Sequence, residues 1–339
     1  MPVLSSADPA AYVALGMQSA LGAPQTAAAK LRFARYLKGT EFNIDPTIVD
    51  LREGGDGLDI GYTYKSQEKM RGKLVAYLRP ELAGQFFQLL PGGATFMPTT
   101  SATGFNLFHD NHASHPFSTL QINHPGSQIT HLLSDTRFLT YELLGQTGRP
   151  WQLSADFIAI TYGASAAPLT PTNYGAASSL DDMFLFHNNP SYVLGGFADS
   201  TIESIRISGQ LGIEELQAQG VNLDDIAITN RVNDIEVVRR FQSPSLWQAI
   251  AYGGPANVAP TTSVATGSLS CFVSNGLAGA NLRSMLIQLG LLTYRNDILT
   301  ALDPDGQTVR ETISARALHT ATAAIAIGLF NPHASAYAP

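Results

Sequence analysis

Five histidines and an aspartate crowd the middle of the chain's first half. "FHDNHASHPF" holds His109, Asp110, His112 and His115, and His124 and His131 follow. Histidines three apart are spaced for zinc or iron, and Asp110 could orient one imidazole through its second nitrogen. The run is polar and loop-like, however. It lacks the helix that puts both histidines of an HExxH site on one face, and no neighbour is placed to activate a metal-bound water. In a lysine-poor loop these residue types act as turn formers, so no metal is expected here. "LDPDGQTVRE" (302–311) offers Asp303, Asp305, Gly306 and Glu311. An EF-hand loop needs its glycine at position 6 and its glutamate at position 12, but counted from Asp303 the glycine arrives too early. A hairpin with Asp-Gly at its tip accounts for the run better. Calcium is not expected either.

No GxSxG elbow, GxxxxGK[ST] loop or GxGxxG fingerprint occurs. Glu214–Glu215 and Asp224–Asp225 are adjacent, so on a strand they point to opposite faces and cannot act as one acid/base pair. The residues read as those of a non-enzyme without a cofactor. A metal-dependent enzyme using the His109–His115 loop is the catalytic alternative, which metal analysis would detect.

The elements around these residues read as strands. Apolar residues make up 45% of the 339 and charged residues only 14%, so Ser, Thr, Asn, Gln and Gly must cover much of the surface, as strands and loops allow. Glycine and proline punctuate the chain at intervals typical of all-β proteins. Charge is unevenly placed. Residues 1–80 hold ten Lys/Arg against eight Asp/Glu, and residues 81–339 hold ten against nineteen; all five lysines lie at or before Lys73. This is not the basic stripe of a nucleic-acid binder. It is a solvated acidic surface, or an acidic face that must repel a polyanion. The single cysteine, Cys271, excludes an internal disulfide. No apolar run approaches the ~20 residues needed to span a bilayer, and the N-terminus lacks the basic region of a signal peptide. A soluble protein made in a reducing cytoplasm, with no membrane partner, is expected.

Along the chain, residues 1–28 read as an extended arm. A polar, Gly-rich stretch at 53–72 reads as a long loop between "TIVDL" and "KLVAYL". "RPELAGQFFQLL" (79–90) is the clearest helix. Pro80 suits its first position, and Leu82, Phe86, Leu89 and Leu90 lie on one face. Alternating strands follow to residue 161, then a linker at 162–182. The second half has strands, a short helix in "SPSLWQAIAYGG" with Ser243 as N-cap and Pro244 at N1, and further strands. The expected fold class is all-β: two tandem β-barrel or sandwich modules, 29–161 and 183–331, each with a short flanking α-helix, then a tail at 332–339.

The two modules read as copies. Pro80, Leu82 and Phe86 match Pro244, Leu246 and Ile250. A Gly-Gly pair follows in each half, then "PTTS" at 98–101 and 260–263. Leu-Thr-Tyr at 139–141 and 292–294 and Ser-Ala at 154–155 and 314–315 recur in the same order.

With that order in place, the chain resembles the tail tube (major tail) proteins of long-tailed, siphovirus-like bacteriophages. "YVALGMQSALGAPQTAA" looks like their N-terminal lead-in, and "MRGKLVAYLRPELAGQFFQLLPGG" like the run from first sheet into helix. "FADSTIESIRISGQLGIEEL", "IEVVRRFQSPSLWQAI" and "DPDGQTVRETISARAL" look like the second module of two-module members. Residues 104–135 depart from the pattern. The resemblance implies a structural virion protein, located in the tail and assembled in the host cytoplasm. It implies homotrimeric, pseudo-hexameric rings, or homohexamers, stacked head to tail into a non-contractile tube. Partners would be the tape measure inside the lumen, the terminator and distal tail proteins, and phage DNA passing without specific binding. The basic residues Arg52, Lys65, Lys69, Arg71 and Lys73 are expected at the ring-stacking contact, and the lumen wall is expected to be net negative. A decoration or receptor-binding tail component is the non-catalytic alternative.

Overall fold

The computed structural model describes residues 11–52, 60–90, 94–96, 105–109, 116–124, 129–165, 183–188, 191–195, 197–254, 256, 259, 264–278, 282–299, 309–320 and 323–330. The fold is all-β, with two short helices among these residues. The strands are β1 (Tyr12–Met17), β2 (Arg32–Ala34), β3 (Glu41–Leu51) and β4 (Tyr62–Tyr77). Helix α1 (Pro80–Leu89) is followed by β5 (Ala94–Phe96), β6 (Phe105–His109), β7 (Ser118–His124), β8 (Ile129–Gln146) and β9 (Gln152–Ser165). The second half has β10 (Ser191–Leu194), β11 (Phe197–Ala198), β12 (Ile202–Leu216), β13 (Asp225–Arg240), α2 (Ser245–Tyr252), β14 (Thr266–Ser274), β15 (Ser284–Leu299), β16 (Arg310–Ala317) and β17 (Ala326–Phe330).

The pairings of the first half recur in the second. β1 pairs with β2 and β7, and β10 with β11 and β14. β3–β4, β7–β8, β8–β9 and β4–β9 are matched by β12–β13, β14–β15, β15–β16 and β13–β16. The helix leaves the same strand each time. The registers match as well. Tyr141 stands opposite Ala155 and Tyr294 opposite Ala315, while Leu74 meets Ala155 and Ile235 meets Ala315. The Leu-Thr-Tyr and Ser-Ala words therefore occupy corresponding places in the two halves.

The halves share one core. β8 of the first half pairs antiparallel with β12 of the second, and β17 pairs with β6. A single apolar cluster runs from Val13 through Phe86 and Trp151 to Ile313 and Leu329. The α1 face of Leu82, Phe86, Leu89 and Leu90 is buried in it.

Four boundaries differ from the sequence reading. Residues 12–17 belong to the sheet and not to an arm, because the apolar run Tyr12–Leu15 is fully packed. Residues 62–72 belong to β4, paired along its length with β3, so this part of the polar stretch is half of a long hairpin and not a loop, while 53–59 lie outside the described residues. Polar side chains on both faces hid it, since this part of the hairpin alternates little. Residues 162–165 extend β9 into the expected linker. Helix α2 begins one residue late: Pro244 occupies the N-cap, with its carbonyl accepting from the Gln248 N–H at 2.7 Å, and Ser243 caps nothing. Its end is as read. Gly253 adopts φ 75°, a left-handed conformation that suits glycine.

Candidate functional surface

The strands β3-β4-β9-β8-β12-β13-β16-β15 form one unbroken antiparallel run, four from each half. Because side chains alternate across a strand, each cross-strand row belongs wholly to one face. One row reads Leu74, Ala155, Tyr141, Gly209, Asn233, Ala317, and the next Ala76, Leu153, Leu143, Ile207, Ile235, Ala315, Tyr294. This face is core. Gly209 is needed where the halves meet, because a Cβ there would stand 1.9 Å from the Tyr141 ring. The Tyr141 hydroxyl bonds Asn233 Oδ1 at 2.8 Å.

The intervening rows form the opposite face. They run Glu41, Lys73, Asp156, Thr140, Gln210, Val232; then Ser154, Glu142, Ser208, Asp234, Arg316, Thr293; then Gln152, Leu144, Arg206, Glu236, Ser314. All of these are half-buried or exposed. The face is polar across its width, with five carboxylates against three cations in these rows. Two cations are neutralised: Arg206 grips Glu142 at 2.5 and 2.8 Å, and Arg316 holds Asp234 bidentately at 2.7 and 2.9 Å. Lys73 lies in register between Glu41 and Asp156. At one rim Arg310 and Arg240 share Glu203 at 2.7 and 3.7 Å. Arg295, at the bulge in β15, is exposed beside this face.

Toward the other rim the tip of the β12–β13 hairpin folds over. Leu223 and Ile226 bury Ile158 and Ile160 of β9. Ion pairs secure the tip: Glu215 accepts from Lys69 and, at 2.7 Å, from Arg71, while Val221 accepts the Glu68 N–H at 2.8 Å. Burial alone would raise the Glu215 pKa, but the bonds from Lys69 and Arg71 outweigh it and hold the carboxyl below its usual 4.5.

Among the five basic residues singled out from the sequence, Lys65, Lys69 and Arg71 make ion pairs within the chain. Lys65 pairs with Glu68, and Lys69 and Arg71 latch the two hairpins together. Arg52 is exposed, and Lys73 lies on the polar face. The sequence grouping missed Glu215 as their partner because it is 146 residues from Lys69.

The histidine cluster is only partly within view. Asp110, His112 and His115 lie outside the described residues, as do Asp303, Asp305, Gly306 and both PTTS loops. His109 lies on β6 opposite Ala326. His131 packs edge-on against Phe42, and burial, with His124 nearby, lowers its pKa. Glu311 is bound by Arg239 at 2.5 Å. Among the described residues no group of three or more His, Cys, Asp or Glu could hold a metal ion, and no helix is long and apolar enough to cross a membrane. Cys271 is fully buried, and burial pushes its thiol pKa up.

The chain matches no protein-family model and no curated protein.

Proposed function

We propose that this chain is the structural subunit of a phage-type tail tube, polymerising as stacked rings around a conduit for DNA. The observation that supports this best is the eight-stranded run with two unlike faces: one packed as core, the other polar, acid-leaning and with most of its arginines held by carboxylates. A wall that DNA must slide past should offer no row of free cations, since each phosphate contact adds a salt-sensitive attraction. Arg206, Arg316, Arg240 and Arg310 are each ion-paired, which suits such a wall. In this reading the polar face lines the lumen, the protein works in the virion tail, and it has no cofactor. Its partners are further copies of itself and the tape measure, terminator and distal tail proteins.

Negative-stain microscopy of the purified protein at high concentration tests the reading. Hollow tubes of uniform diameter are expected. Particles that never stack, at any concentration or salt, would remove it.

A further inference from the structure

The joint between the two halves has a counterpart whose matching apolar residues are exposed. Within the chain, β12 of the second half adds to β8 of the first, and the β12–β13 hairpin lies over β9. The recurring registers assign each residue of that joint a mate elsewhere. With Lys73 matched to Asp234, Glu41 corresponds to Ser208 and Ile44 to Leu211. With Ala155 matched to Ala315, Ile158 corresponds to Leu318. In the joint, Leu211 is 5% exposed and Ile158 is 0% exposed; their mates Ile44 and Leu318 are 50% and 39% exposed. The same fold thus buries these apolar residues of one hairpin and one docking strand and leaves their mates on β3 and at the end of β16 exposed. Ile48 and Tyr62 on the β3–β4 hairpin are exposed too, at 63% each.

We propose that a second copy of this chain covers these residues: the β3–β4 hairpin of one copy docks on the β15–β16 end of the next, as β12–β13 docks on β8–β9 within the chain. Both edges are open to it. Among the described strands β3 pairs only with β4, and β15 beyond Tyr294 pairs only with β16. Carried over, the internal register sets Glu41 opposite Asn296. The exposed Arg295 then faces a strand whose edge holds Glu41 and Asp45, opposite in charge. A turn at 37–40, closed by the Thr40 N–H on the Leu37 carbonyl, shortens β3 on one side, so the hairpin's apolar residues supply more of this contact than the ladder does. The joint is heterologous, hairpin to strand end, so it propagates in one direction and closes when the rotation allows. It deepens the tube reading by naming how subunits meet within a ring, but its evidence is the chain's own internal joint.

Two exposed-site variants test it, Ile44→Glu and Leu318→Glu, followed by sedimentation velocity and microscopy. Both should keep the wild-type circular dichroism spectrum, because neither residue is packed, and both should lower self-association at least tenfold. As a second measurement, Glu41→Cys with Asn296→Cys, treated with a short bis-maleimide, should give covalent closed oligomers; buried Cys271 alone should give none. Variants that associate like the wild type, a wild type that stays monomeric at the highest concentration, or assemblies without the cross-link would each overturn the inference. Tubes formed by Ile44→Glu would sink this joint while leaving the tail reading intact. Cross-linked rings that never stack would do the reverse.

Discussion

Replacing Arg239 with methionine should destabilise the chain by about 3–5 kcal/mol, the usual cost of stranding one member of a buried ion pair. The position is instructive because its mate in the first half is apolar. Arg239 stands opposite Glu311 where Leu78 stands beside Trp151, both of the latter fully buried. The Arg239 side chain is 12% exposed and that of Glu311 0%. Arg239 donates to Glu311 at 2.5 Å and to Asp199 at 2.7 Å. Asp199 also accepts from the Thr201 N–H and hydroxyl at 2.8 and 2.6 Å. Burial would raise its pKa, but Thr201 and Arg239 together keep it below the ordinary carboxylate value. Removing the guanidinium therefore takes two charge-assisted bonds, each about 1.5–3 kcal/mol. Asp199 keeps partial support from Thr201. Glu311 keeps none, and its Oε1 already has no partner among the described residues.

The informative comparison is with the triple change Arg239→Met, Glu311→Leu and Asp199→Asn. It removes all three charges and restores the apolar character that Leu78 and Trp151 give the first half, so it should lie within about 1–2 kcal/mol of wild type. Urea unfolding followed by fluorescence reads both, with the single variant's midpoint falling at an unchanged slope. A single variant costing under about 1 kcal/mol, or a triple costing as much as the single, would refute the view that Glu311 depends on its counter-ion.

Other consequences can be measured in the same way. Gly209→Ala should cost about 1–3 kcal/mol through overpacking against the buried Tyr141 ring, and pairing it with Tyr141→Phe should not rescue it, because the clash is with the ring and not the hydroxyl. Stability should fall as pH drops below about 4.5, because Glu215 has a depressed folded pKa; its contribution is present above its unfolded value and lost as pH falls through the folded one. Acid titration of the Glu215→Gln variant should show a shallower loss over that range. Lys69→Glu should destabilise the isolated chain by opposing Glu215 in a nearly buried site, whereas Lys65→Glu, at an exposed pair, should change stability by less than about 1 kcal/mol. Equal effects at the two lysines would contradict the assignment of Lys69 as an internal latch.

What could be read from the sequence was whatever local physics determines. Helix α1 declares itself through Pro80 and a stripe of large apolar residues, and β9 and β16 through the alternation around their Ser-Ala pairs. The β3–β4 hairpin does not, because Ile44, Ile48 and Tyr62 are exposed and stand among charges, so no period marks which side is inside. The acid-leaning face was foreseen only as a net count. The arrangement that gives the count meaning needed register: Arg206 meets Glu142 across 64 residues, and Arg316 meets Asp234 across 82. The same holds for the two halves as copies. Short words such as Leu-Thr-Tyr gave an order, while the ladders identify which residue stands for which. That correspondence is what turns an exposed Ile44 from an ordinary surface isoleucine into the unpartnered twin of a buried Leu211. A lone exposed apolar residue needs no explanation, but Ile44 and Leu318 are both exposed where their register twins Leu211 and Ile158 are buried, and the exposed Arg295 on the β15 edge is opposite in charge to Glu41 and Asp45.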